Sequence, residues 1–150
     1  MGILWGKNKM RDFEYFININ DVRKVSPDKQ LAVSLIKDMD ERISDAIKLN
    51  TKEFPKIIFE VVYDALRDFC DALLAIEGYK SYSHEGSISF LAKKGFDAAF
   101  ISEFDKFIYK RNGSKYYGAK ITAEEAESII RFYKDNKKRI DNFLKKAELK

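Results

Sequence analysis

The chain has 150 residues, enough for one substantial core and few for two, and 45% hydrophobic beside 35% charged residues rules out a disordered polypeptide. Seven glycines and two prolines leave few breaks between elements, which disfavours an all-β fold. A net charge of +4 is too small, taken alone, to establish nucleic-acid binding.

Residues 1–25 read as an N-terminal extension. Its opening, MGILWGKNKM, lacks the hydrophobic region of a signal peptide, and Gly6 stands where a myristoylation signal needs Ser or Thr. KMRDFEYFI is expected to form one short helix and ININDVRKV an extended connection. From residue 26 to 150 the pattern is helical. SPDK offers a start, with Ser26 as N-cap and Pro27 at the first helical position, where its missing N–H costs nothing. Leu31, Leu35, Met39, Ile43 and Ile47 then recur every fourth residue, predicting an apolar stripe on a helix that ends near Asn50.

Thr51 opens the next element, with Pro55 in its first turn. Apolar residues from Ile57 to Ile76 cover more than one face, which predicts a central helix with neighbours on several sides. Its polar strip holds Glu60, Asp64, Asp68 and Asp71, and Glu77-Gly78 is the expected stop. Ser83 caps a shorter helix running from His84 to about Lys94, closed by Gly95. Ile101, Phe104, Phe107 and Ile108 define a further helix, expected to end around Asn112-Gly113. Thr122-Ala-Glu-Glu125 is a capping box, and the last helix carries Ala126, Ile129, Ile130, Tyr133, Ile140, Phe143 and Leu144. The expected fold is all-α: one up-and-down antiparallel bundle of four to five helices.

Cys70 is the single cysteine, so no intrachain disulfide forms and a reducing compartment is expected. With His84 as the only histidine, one chain cannot build a Cys/His zinc site, and no metal or other cofactor is expected. No nucleophile-elbow motif is present. No apolar run approaches ~20 residues, so no membrane span is expected and the cytoplasm is the expected location. From Arg131 to Lys150, eight basic residues against three acids give a net +5, whose wide spacing reads as a solvated face.

The segment KFIYKRNGSKYYGAK, 106–120, collects Lys106, Lys110, Arg111, Lys115 and Lys120 without an acid. Arg111 lies four residues after Phe107 and seven after Phe104, so it continues the core-facing stripe. Breaking a buried charge pair costs about 3–5 kcal/mol, so an anion should meet this guanidinium. One candidate is a carboxylate of the central strip, Asp64 or Asp68. The other is a phosphate, held by Arg111 with Lys110, Asn112 and Lys115, while Tyr116 and Tyr117 stack a base. His84 reads either as an early helical residue beside its cap or as the one side chain that titrates near neutrality.

The run VYDALRDFCDALLAIEGYKSYSHEGSISFL, 62–91, followed by FDKFIYKRNGSKYYG, resembles the HEPN domain (higher eukaryotes and prokaryotes nucleotide-binding). The resemblance covers Val61 to Gly118 most closely and extends to most of the chain from Ser26 onward. It implies a HEPN-like bundle, a homodimer with its cleft at the interface, and either a metal-independent endoribonuclease paired with a nucleotidyltransferase, as in toxin–antitoxin systems, or an inactive nucleotide- or RNA-binding module. Arg111 matches the arginine of the family's nuclease motif and Asn112 its polar follower. The motif histidine would fall at Tyr116, Tyr117 or Gly118, and none of these is histidine. RNA cleavage needs proton transfers, and a tyrosine with a reference pKa near 10 is a poor base at neutral pH. Weak or absent nuclease activity is therefore expected, in a module binding nucleotide or RNA phosphate. Two alternatives remain: a nuclease using Arg111 with Tyr116 or Tyr117, or with His84 across a dimer interface, and a bundle serving only protein interaction.

Overall fold

A computed structural model of the chain describes residues 11–150 and, among the first ten, the backbone of two short paired strands, β1 (Leu4–Trp5) and β2 (Asn8–Lys9). The remaining reading of MGILWGKNKM lies outside the described residues. Six helices follow: α1 (Phe13–Asn18), α2 (Lys29–Ile47), α3 (Pro55–Glu77), α4 (His84–Lys93), α5 (Ala98–Tyr117) and α6 (Ala123–Lys146). The protein is mostly helical, as expected of the all-α class. The segment expected only to be extended is instead a strand, β3 (Val22–Lys24), paired antiparallel with β4 (Tyr79–Ser81).

Helix α3 lies at the centre and touches α2, α4, α5, α6 and β4. Pro55 occupies its first turn, and Asn50 arrests the preceding connection by accepting from the backbone N–H groups of Lys52 and Glu53. Gly78 ends the helix at φ 82°, a left-handed conformation, and a Cβ there would sit 2.7 Å from the Val25 carbonyl oxygen. The same residue's carbonyl accepts the Val25 N–H at 2.9 Å, so the turn that stops α3 also seats β3 beside β4.

Helix α2 starts later than the sequence suggests. Asp28, not Ser26, is its N-cap, the carboxylate accepting from Leu31 N–H at 2.9 Å while its own N–H reaches Ala75 O. Its buried face is Ala32, Ile36, Met39, Ile43 and Ala46, whereas Leu31 and Ile47 are 48% and 43% exposed. Steps of four residues advance about 40° beyond a full turn, so a strict every-fourth stripe winds off the core, and alternating steps of four and three stay on it.

The end of α5 is the larger correction. The helix runs through Asn112-Gly113 to Tyr117 and closes on Gly118 at φ 70°, with Ala119 N–H donating to Gly113 O. Arg111 is therefore interior to its helix. Both elements of the capping box at Thr122 and Glu125 are present, and α6 packs Phe132 against Phe100 and Phe107, an aromatic contact that the sequence stripe omitted. No described helix is long and apolar enough to cross a membrane.

Candidate functional site

The polar chemistry of the core gathers where α3, the start of α4 and the last turns of α5 meet. Tyr63 and Arg67 are four residues apart on α3 and so share a face. Ser83 caps α4 by accepting from Gly86 N–H at 3.0 Å, which makes His84 the first helical residue. Gly86 fixes where that helix begins. A Cβ on it would lie 2.9 Å from both Ser81 Oγ and Val22 Cγ2, so only glycine lets α4 press this closely on the ribbon.

His84 Nδ1 takes the Tyr63 hydroxyl and, at 2.6 Å, Arg67 Nη1. Both partners are donors: a guanidinium has no acceptor, and burial pushes the Tyr63 phenol above its ordinary range. Nδ1 must therefore present its lone pair, and the imidazole proton sits on Nε2. Burial, followed by the charges of Arg67, Arg111 and Lys115, lowers the His84 pKa to about 4. The expectation that His84 titrates near neutrality is overturned: it is a neutral imidazole in a field of three cations. Arg67 resists the cost of its own burial through Asp71 and Tyr63, which hold its pKa above the ordinary value.

Arg111 does turn inward. Its side chain is 17% exposed, with the guanidinium carbon 5.0 Å from the centre of the Tyr63 ring and Nη2 3.6 Å from Asp64 Oδ1. That carboxylate is shared, because Arg42 approaches it at 3.5 Å and Asp68 at 3.4 Å. The ion pair with the central acidic strip thus exists but is long and divided. Two buried donors here, Arg67 Nε and Arg111 Nε, have no hydrogen-bond partner among the described residues, and neither has Ser114 Oγ, three residues beyond Arg111 on α5 and only 4% exposed. Buried donors left unmet cost about 1–3 kcal/mol each, so an acceptor reaching these atoms would be favoured.

The other residues singled out in the sequence divide. Lys115 acts on His84 and lies 5.5 Å from the Tyr116 ring centre. Lys110 faces elsewhere, pairing with Glu125 at 2.8 Å beside a groove of about 530 Å³ between α5 and α6. Asn112 is half-buried, whereas Tyr116 and Tyr117 are 65% and 86% exposed. Asp68, half-buried and crowded by Asp38, Asp71 and Asp64 against the pull of Arg42, has its pKa raised to about 6. Tyr63, Arg67 and Arg42 were not anticipated. Arg67 carried a readable signal, being the one cation between Ile57 and Glu77 in the most apolar helix.

Chemically, the cluster offers two guanidinium groups, an ammonium, a hydroxyl and the Nε2–H of His84. It supplies donors and positive charge, with no free imidazole lone pair to act as a base. No protein-family model, curated protein or solved structure matches this chain.

Proposed function

We propose that the chain is a HEPN-like bundle that binds the phosphate of a nucleotide or RNA at the cluster around His84, with Arg111 and Arg67 as anchors and Lys115 and Ser114 beside them. The observation that carries this reading is the convergence of three cations on a neutral imidazole, together with the unmet buried donors of Arg67 and Arg111. A phosphate supplies several acceptor oxygens to planar guanidinium groups and offsets charges that otherwise repel one another. The basic C-terminal segment contributes less, since Lys137 and Lys150 pair with Asp141, Lys150 with Asp40, and Arg139 with Asp97.

Binding is favoured over catalysis by the state of His84, whose Nδ1 lone pair is engaged and whose Nε2 holds its proton. A nuclease reading draws support from one fact: Arg111 and His84 act on each other within a single chain, without a dimer interface. The resemblance adds a second copy of the chain and a nucleotidyltransferase as partners, and the lone Cys70 keeps a reducing compartment, the cytoplasm, as the expected location.

The test is fluorescence anisotropy of a short single-stranded RNA with purified protein in EDTA, followed by a gel for cleavage. Arg111→Ala should weaken binding about tenfold and lower the slope of log affinity on log salt by about 0.7, the share of one phosphate contact on a single strand. Lys134→Ala, on the exposed face of α6, should do less. Equal losses from the two variants would refute a localised site. Cleavage abolished by Arg111→Ala or His84→Ala would replace the binding reading with the nuclease one.

A further inference from the structure

We infer that the β3–β4 ribbon carries a nucleobase-stacking subsite at Tyr82, serving a single strand of RNA whose phosphate lies at the His84 cluster; the inference rests on the phosphate reading above. Arg23 and Lys80 are register partners across the antiparallel pair, so their side chains emerge on one face of the ribbon. Tyr82 follows Lys80 by two residues and continues that face. The guanidinium carbon of Arg23 lies 4.7 Å from the Tyr82 ring centre and Lys80 Nζ lies 5.4 Å from it. The opposite face is spent on the core: Val22 is fully buried, and Ser81 Oγ donates to Ser83 O at 2.7 Å.

Tyr82 is 56% exposed although its backbone is fixed, its N–H donating to Asp21 O at 2.7 Å. The ring is held in water beside two cations and belongs neither to the core nor to the apolar residues packed against it. Among the described residues no carboxylate comes within ion-pair distance of Arg23 or Lys80; Arg23 Nε reaches only the Asn20 carbonyl at 3.4 Å, and Lys80 acts on Asp71 from farther away. A base offers its π-face to the ring while the cations meet the backbone, a pairing that an acidic peptide lacks. Position supports the same occupant. Tyr82 precedes His84 by two residues, so their Cα atoms are at most ~7 Å apart, within the reach of one nucleotide from its phosphate to its base.

The experiment compares a fluorescein-labelled oligouridine strand with an abasic strand of equal length, titrated into wild type, Tyr82→Ala, Tyr82→Phe and Arg111→Ala. Tyr82→Ala should lose about tenfold on oligouridine and nothing on the abasic strand, and Tyr82→Phe should bind as wild type does. Arg111→Ala should weaken both strands. If Tyr82→Ala binds oligouridine normally, or weakens both strands alike, the stacking subsite is overturned and the phosphate site stands. If wild type binds neither strand, the phosphate reading fails and the subsite fails with it.

Discussion

His84 reports directly on its surroundings because it is the lone histidine, so its ring protons can be followed by NMR without assignment. The free protein should show a titration midpoint near 4, below the ordinary 6.5, since burial and the charges of Arg67, Arg111 and Lys115 disfavour the imidazolium. Arg111→Ala removes one of those charges and should move the midpoint upward. Inorganic phosphate, by neutralising the same field, should do likewise in wild type and less in Arg111→Ala. A free-protein midpoint at 6.5 would remove the electrostatic basis of the site. Of these residues, Arg111 was legible in the sequence because its spacing from Phe104 and Phe107 is local, and a helix translates local spacing into direction. Tyr63 was not. It reads as one more apolar position in α3, and the partner of its hydroxyl lies 21 residues onward, across a turn and a strand. Arg67 stands among Asp64, Asp68 and Asp71 in the sequence, and nothing local distinguishes a cation that turns toward His84 from one that pairs with those acids.

Glycine placement separates the expected from the observed course of α5. Asn112-Gly113 carries the local signature of a helix end, yet Gly113 is helical, and Gly118 adopts the left-handed turn instead. Local signals rank candidate stops, and tertiary contacts choose between them. Here Ser114 is buried beyond the first candidate, so continuing the helix keeps that turn on the bundle. The two positions should therefore respond oppositely to alanine. At Gly113 a Cβ would meet only the Ala119 Cβ at 3.7 Å, an ordinary contact, so Gly113→Ala should stabilise by about 0.5–1 kcal/mol. At Gly118 nothing lies within 4 Å, but φ is 70°, so Gly118→Ala should destabilise by about 1 kcal/mol through backbone strain alone. Urea midpoints of the two variants check this, and a destabilised Gly113→Ala would restore the earlier stop. At the ribbon, Gly86→Ala forces a Cβ to 2.9 Å from Val22 and Ser81 and should cost about 1–3 kcal/mol. Because α4 would shift away, the same variant should also move the His84 midpoint. Little of this crowding could be read from YSHEGSISF, since only the Ser83 Oγ, at 3.0 Å, lies within it and the two nearer atoms belong to the ribbon.

Stability against pH sums charges set around α3, and two of them pull in opposite directions. His84 has its pKa lowered from 6.5 to about 4, so the unfolded chain binds its proton more tightly. Its contribution is fully present above pH 6.5 and is lost as pH falls toward 4. Asp68 has its pKa raised from 3.8 to about 6 by burial and by Asp38, Asp71 and Asp64, against the attraction of Arg42. Here the folded chain binds the proton more tightly, so this contribution is present below pH 3.8 and is lost as pH rises through 6. Over about pH 4–6 the two changes oppose, and each masks the other in wild type. Subtracting single variants from wild type exposes them, because the remaining carboxylates cancel. Asp68→Asn should gain on wild type as pH rises through this window, since the amide never ionises. His84→Asn should lose on wild type over the same window, since it forgoes the gain that comes as the unfolded imidazole gives up its proton. Urea unfolding at half-unit steps from pH 4 to 7 measures both differences. Slopes of the same sign would mean that at least one of these groups does not experience the environment described, and the phosphate site would lose its neutral imidazole if the failing slope were that of His84.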